Sequence, residues 1–128
     1  MMDVNWVKTL HECSIDAMHE KLRLAIEADV KQRNELQSPG PHYEFRVVPA
    51  ESAFAVIREG SELRESVEFS VRGKFLIIKD TRRKTILKVS ITLDSLGECK
   101  FNVGGVERNS WQLRRQVLED IFFSEETG

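Results

Sequence analysis

The chain has 128 residues, 41% of them apolar and 31% charged, with a formal charge of −2 at neutral pH. That length fits one domain with a real hydrophobic core, and the near-neutral balance removes any general attraction to nucleic acid or anionic lipid. No apolar run approaches the roughly 20 residues that cross a bilayer, and the opening Met1-Met2-Asp3-Val4-Asn5-Trp6 lacks a basic stretch before an apolar block, so neither a membrane span nor a secretory leader is expected.

Residues 4–37 read as one long helix. They contain no Pro or Gly, and Asp3 is placed to cap the start. Set at about 100° per residue, Trp6, Leu10, Cys13, Ala17, Leu24 and Ala28 form one side of an apolar arc. Val4, Val7, Ile15, Met18, Leu22, Ala25 and Ile26 form the other, and Asn5, Thr9, Glu12, Asp16, Glu20, Arg23 and Glu27 leave only a narrow polar strip. The arc exceeds the roughly 100° stripe of a helix packed on one partner, so two surfaces must cover it, the sheet being one and the closing helix or another copy of the chain the second. A straight helix of this span would run about 50 Å, beyond the roughly 35 Å diameter of a compact domain of this length. The arithmetic favours a projecting end, with Ile26, Val30 and Leu36 meeting a second copy in a homodimer or larger oligomer. The alternative is a helix that kinks or frays after Ala28, where Asp29, Lys31, Gln32, Arg33 and Asn34 make the chain very polar.

Ser38-Pro39-Gly40-Pro41 ends the helix, because proline lacks an N–H and clashes with the preceding turn. Residues 43–48 read as a strand closed by Pro49. Residues 50–59 admit two readings. Phe54 and Val56 alternate with Ala53 and Ala55, which favours a strand, while Ala50-Glu51-Ser52-Ala53 could open a short helix ending at Gly60.

From 66 to 103 the pattern is that of antiparallel strands with one buried and one wet face. Val67, Phe69 and Val71 alternate with Glu68 and Ser70, and Lys74 and Lys79 enclose Phe75-Leu76-Ile77-Ile78. Leu87, Val89, Ile91 and Leu93 alternate with Lys88 and Ser90; Cys99, Phe101 and Val103 alternate with Lys100 and Asn102. Ile91 and Phe101 are thereby predicted on the helix-facing side. Turn chemistry joins these runs at Arg72-Gly73, at 80–84 and at Asp94-Ser95-Leu96-Gly97, giving a meander. Gly104-Gly105 stops the last strand. Asn109 or Ser110 then caps a closing helix to Phe123, with Gln112 placed to reach back. Its stripe is Leu113, Val117 and Ile121, widened by Trp111, Leu118 and Phe122. The expected fold is a single α+β domain over 1–128: a long helix over 1–37, a curved antiparallel sheet of five or six strands over 43–103, and a helix over 109–123, with both helices mostly on one face.

The residues that carry chemistry have structural readings. Asp16 and His19 lie one helical turn apart with Glu12 and Glu20 nearby, but carboxylate-bridged metal sites on helices draw such a pair from more than one helix, and Asp16, His19 and Arg23 read as ordinary i,i+3 and i,i+4 neighbours on the wet strip. His11 points into the apolar arc as a core histidine, and His42 has no visible counterpart. Cys13 follows His11 and Glu12, yet helical residues two apart face away from each other. Cys13 and Cys99 lack metal or redox spacing and read as small hydrophobes of a reduced, cytoplasmic protein, a disulfide between them being the alternative. Gly104-Gly105 is turn chemistry, since a phosphate loop would continue with Lys-Ser/Thr into a helix.

Basic residues cluster at Arg82-Arg83-Lys84 and at Arg72 and Lys74. Successive turns alternate between sheet ends, so no continuous track for phosphates forms, and interleaved aromatic residues are missing. No catalytic constellation, metal or cofactor is expected. The sequence favours a non-catalytic binding or protein-interaction module assembling through its first helix. The alternative is a ligand binder or enzyme with a pocket between sheet and helices lined by Phe69, Phe75 and Phe101. Anion or nucleic-acid contact through Arg82, Arg83 and Lys84 ranks third.

Overall fold

The computed structural model describes residues 5–36, 43–60 and 64–123. Helices α1 (Trp6–Glu12) and α2 (Ile15–Glu35) precede β1 (Glu44–Ala50), β2 (Ala53–Glu59), β3 (Arg64–Arg72), β4 (Phe75–Lys79), β5 (Thr85–Leu93), β6 (Cys99–Val103) and β7 (Val106–Arg108), and α3 (Ser110–Phe123) closes the chain. All seven strands form one antiparallel meander in sequence order. Residues 53–59 are a strand, as the alternation of Phe54 and Val56 favours.

The long helix is corrected to two. Its break falls at Cys13-Ser14, where the Ser14 backbone is extended and its hydroxyl accepts the Ala17 N–H at 3.1 Å. A serine hydroxyl competes for backbone donors better at a helix start than inside a helix, so no Pro or Gly is needed. Asp3 lies outside the described residues, and the α1 cap is Asn5, which accepts from the Lys8 N–H at 3.2 Å. The 21 residues of α2 span about 32 Å, so the arithmetic for a projecting end no longer holds.

Cys13 and Cys99, 86 residues apart, are joined in a disulfide with their Cα atoms 5.6 Å apart. The free-thiol reading is therefore corrected. The bridge holds the α1–α2 joint against β6.

One cluster fills the space between sheet and helices. Met18, Leu22, Ile26 and Val30 from α2 and Leu113, Val117, Leu118, Ile121 and Phe122 from α3 meet Phe45, Phe54, Val56, Phe69, Leu76, Ile78, Val89 and Phe101 of the sheet. Ladder register keeps these residues on one face: Phe54 stands opposite Phe69, Phe69 opposite Ile78, Leu76 opposite Val89 and Ile91 opposite Phe101. Phe101 is buried and Ile91 packs against the cluster, on the side that the alternation predicts.

Side chains hold the ends of these elements. The Asp80 carboxylate accepts the N–H groups of Arg82 and Lys84, and Asp94 does the same for Leu96 and Glu98. Gly104 and Gly105 both have positive φ, as the two central residues of a type I′ hairpin turn do. The pair thus turns the chain into β7 rather than ending the sheet. Asn109 and Gln112 form a reciprocal cap on α3 at 3.0 and 3.2 Å. On the free edge of β1, the Asn34 amide donates to the Phe45 carbonyl at 2.8 Å and accepts its N–H at 3.1 Å. That bidentate pair substitutes for a neighbouring strand.

A groove between α2 and α3 as the candidate functional site

The residues singled out from sequence do not converge. Ile26 is 0% exposed and Val30 is buried inside the chain's own core, so the interface expected through them is corrected: the sheet already covers that side of the arc. Leu36, at 61% exposed, does remain open. Phe69 and Phe101 are buried in the core, whereas Phe75 lies on the opposite face of the sheet, where Lys88 Nζ sits 4.0 Å from its ring centroid. The three therefore line no common pocket. Arg82, Arg83 and Lys84 are exposed at the β4–β5 turn, at the other end of β4 from the Arg72-Gly73-Lys74 turn.

Two histidine readings also change. His11 is exposed rather than in the core. His19, expected on the wet strip, is half-buried; its Nε2–H donates to the Phe69 carbonyl at 3.0 Å and its ring lies 5.0 Å from Phe54. Among the described residues, no group of three His, Cys, Asp or Glu side chains is placed to hold a metal.

What the fold assembles instead is a groove of about 370 Å³ between the C-terminal half of α2 and α3. Its floor is Leu118 and Phe122, both buried, and its rims carry Leu36, Trp111 and Phe123. Trp111 was expected in the closing helix's core stripe. It is 54% exposed, and Phe123 is 65% exposed. Val117 and Ile121 lie beside Val67 of β3, while Leu118 and Phe122 line the groove with α2, the Phe122 ring also meeting Phe45 of β1 edge-on at 5.3 Å. Trp111 falls at the edge of the helix's apolar arc, where neither neighbour reaches it.

Arginines fix the walls. α3 has no basic residue in its last turn, although cations there complement the exposed carbonyls. Other elements supply them. Arg33 Nε donates to the Phe122 carbonyl at 2.8 Å, its guanidinium lying over the Phe45 and Phe123 rings at 4.9 and 5.3 Å. Arg58, 2% exposed, donates to the Ile121 carbonyl at 3.1 Å, pairs with Glu65 at 2.9 Å and lies 4.6 Å from the Tyr43 ring. Gly60 keeps Tyr43 in place, since a Cβ there would come within 2.7 Å of the ring. At the other end of the groove, Arg114 donates to the Ala25 carbonyl and pairs with Asp29 at 3.2 Å. Burial pushes the Asp29 carboxyl above its ordinary range, against the opposing pull of Arg114. Folding therefore raises, relative to the unfolded chain, the pH at which Asp29 gives up its proton. Its contribution to stability is greatest below the ordinary carboxylate pKa and fades as pH rises through the raised value.

Sequence reasoning missed Arg33, Arg58 and Arg114. For Arg58 a signal was present: it continues the Phe54, Val56 alternation and so had to point inward. No family model, curated protein or solved structure matches the chain.

Proposed function

We propose that the chain is a non-catalytic protein-interaction module whose docking surface is the α2–α3 groove, which takes an apolar segment of a protein. The observation that carries this reading is the groove itself, where three large apolar side chains, each more than half exposed, frame an apolar floor. Exposed apolar surface of this kind, rimmed by polar residues, marks interaction sites. Grooves between helices recognise amphipathic segments through apolar anchors one turn apart. The polar groups at the rim suit packing rather than proton transfer, since Arg114 pairs with Asp29 and Arg115 with Glu119. Assembly thus runs through α3 and the C-terminal end of α2 rather than through the first helix as a whole. The Cys13–Cys99 bridge supports work in an oxidising compartment, where disulfides persist, in place of the reducing cytoplasm expected from the sequence. No helix of the described residues is long and apolar enough to cross a membrane.

Peptide selection against the immobilised chain at nanomolar concentration tests the reading. Selected peptides should carry apolar anchors at i, i+3, i+4 and i+7 and lose at least about tenfold in affinity to the Trp111→Ala/Phe123→Ala variant, as truncated hot spots do. Binders indifferent to that variant, or none at all, would overturn it.

A further inference from the structure

The outer wall of the groove carries a pattern that identifies its occupant. Trp111, Arg115, Glu119 and Phe123 are all exposed on α3 and follow one another at intervals of four residues. Residues so spaced form one of the rows through which helices pack on each other. Read from either end, the row is apolar, charged, charged, apolar, and reversal exchanges the signs of the two charges. A second α3 crossing the first antiparallel at about −50°, the inclination at which such rows run along each other, therefore sets Trp111 against the partner's Phe123 and Arg115 against the partner's Glu119. The twofold axis repeats both contacts. We infer that the surface is an interface between two copies of this chain, related by a twofold axis that passes between Arg115 and Glu119 of the paired α3 helices.

The inference rests on the groove and its rim being a docking surface, and it adds the partner. Three features favour a second copy. A closed twofold contact requires a patch complementary to itself, and this row is. The groove residues include three arginines against two acids, Asp29 and Glu119, so no strong field of one sign selects an oppositely charged partner. Finally, the 3.4 Å bridge between Arg115 and Glu119 within one chain is exposed at 67% and 54%. Its order, cation before anion, is the weaker one on a helix. Both side chains are thus free to exchange that contact for one across the axis.

Charge reversal decides the matter. Light scattering coupled to size exclusion should give the chain, at tens of micromolar, twice the 14.8 kDa mass of one copy. Arg115→Glu and Glu119→Arg each set two like-charge contacts across the axis and should weaken association by about tenfold or more. Mixed in equal amounts, the two variants should recover the parent's dimer, because one protomer then presents two carboxylates to the other's two guanidinium groups. A parent mass of 14.8 kDa overturns the inference, as does a dimer that single reversals leave intact or that the mixture fails to restore. A monomer whose groove still binds the selected peptides would overturn this inference alone and leave the docking reading standing.

Discussion

Helix α2 buries Met18, Leu22, Ile26 and Val30 against the sheet, its Ser14 cap is formed, and Asn34 near its C-terminal end pairs with the edge of β1. Two residues upstream, α1 has no buried residue and exposes Trp6, Val7 and Leu10. Both segments read as apolar at helical spacing, and both formed helices. The difference lies in what the sheet reaches. The strands pass under α2, whereas α1 touches the body of the domain through the Cys13–Cys99 bridge at its end. An isolated helix of fewer than about 12 residues is marginal in water, so α1 depends on its Asn5 cap and that bridge. Periodicity says which residues share a face; only the layout of the other elements says which face is covered.

The largest effect should come from breaking the packed member of the pair. Ile26→Ala empties a fully enclosed site between α2 and the sheet and should cost about 2–5 kcal/mol, toward the upper end because no solvent reaches it. Chemical denaturation measures the loss; a value under about 1 kcal/mol would mean that α2 does not pack as described. Val30→Asp, which the sequence arithmetic would use to separate two copies, instead places a carboxylate in the core and should unfold the chain.

Cutting the tether should come next. Cys13→Ser/Cys99→Ser removes a cross-link between residues 86 apart and should cost about 2–4 kcal/mol, through the greater freedom of the unfolded chain. The amides of α1 should then lose hydrogen-exchange protection while those of α2 keep theirs relative to global unfolding. Equal loss in both helices would show that they form one cooperative unit.

The sheet was legible because its side chains alternate and its turns carry Asp80, Asp94 and glycines at the required places. The capping pair of Asn109 and Gln112 was legible too, since both partners lie three residues apart. The break at Ser14 was not read, because the signals weighed were Pro and Gly, whereas a serine hydroxyl suffices when a bridge holds the preceding residue. The disulfide itself joins residues 86 apart in the chain, and nothing local announces such a partner. The groove was half legible. Leu36 was picked out as an interface residue, but its wall depends on how α3 lies along α2. That placement is fixed by Arg33, Arg58 and Arg114 reaching backbone carbonyls, and a carbonyl acceptor leaves no trace in a side-chain pattern.

The smallest effect sharpens the comparison most. Leu10 and Ile26 are both aliphatic residues of the first 35 positions, both in the apolar arc and both helical, yet Leu10 is 51% exposed and Ile26 is 0%. Leu10→Ala removes atoms that already meet solvent, so neither transfer from the core nor a cavity contributes to its cost. Alanine also has the better helix propensity, which offsets what local contact with Trp6 one turn away is lost. The expected change in stability is within about 0.5 kcal/mol, measured by the same denaturation that reads Ile26→Ala. A loss above about 2 kcal/mol would show that α1 packs on a surface, in this chain or in another copy of it, and the contrast between the two helices would then dissolve.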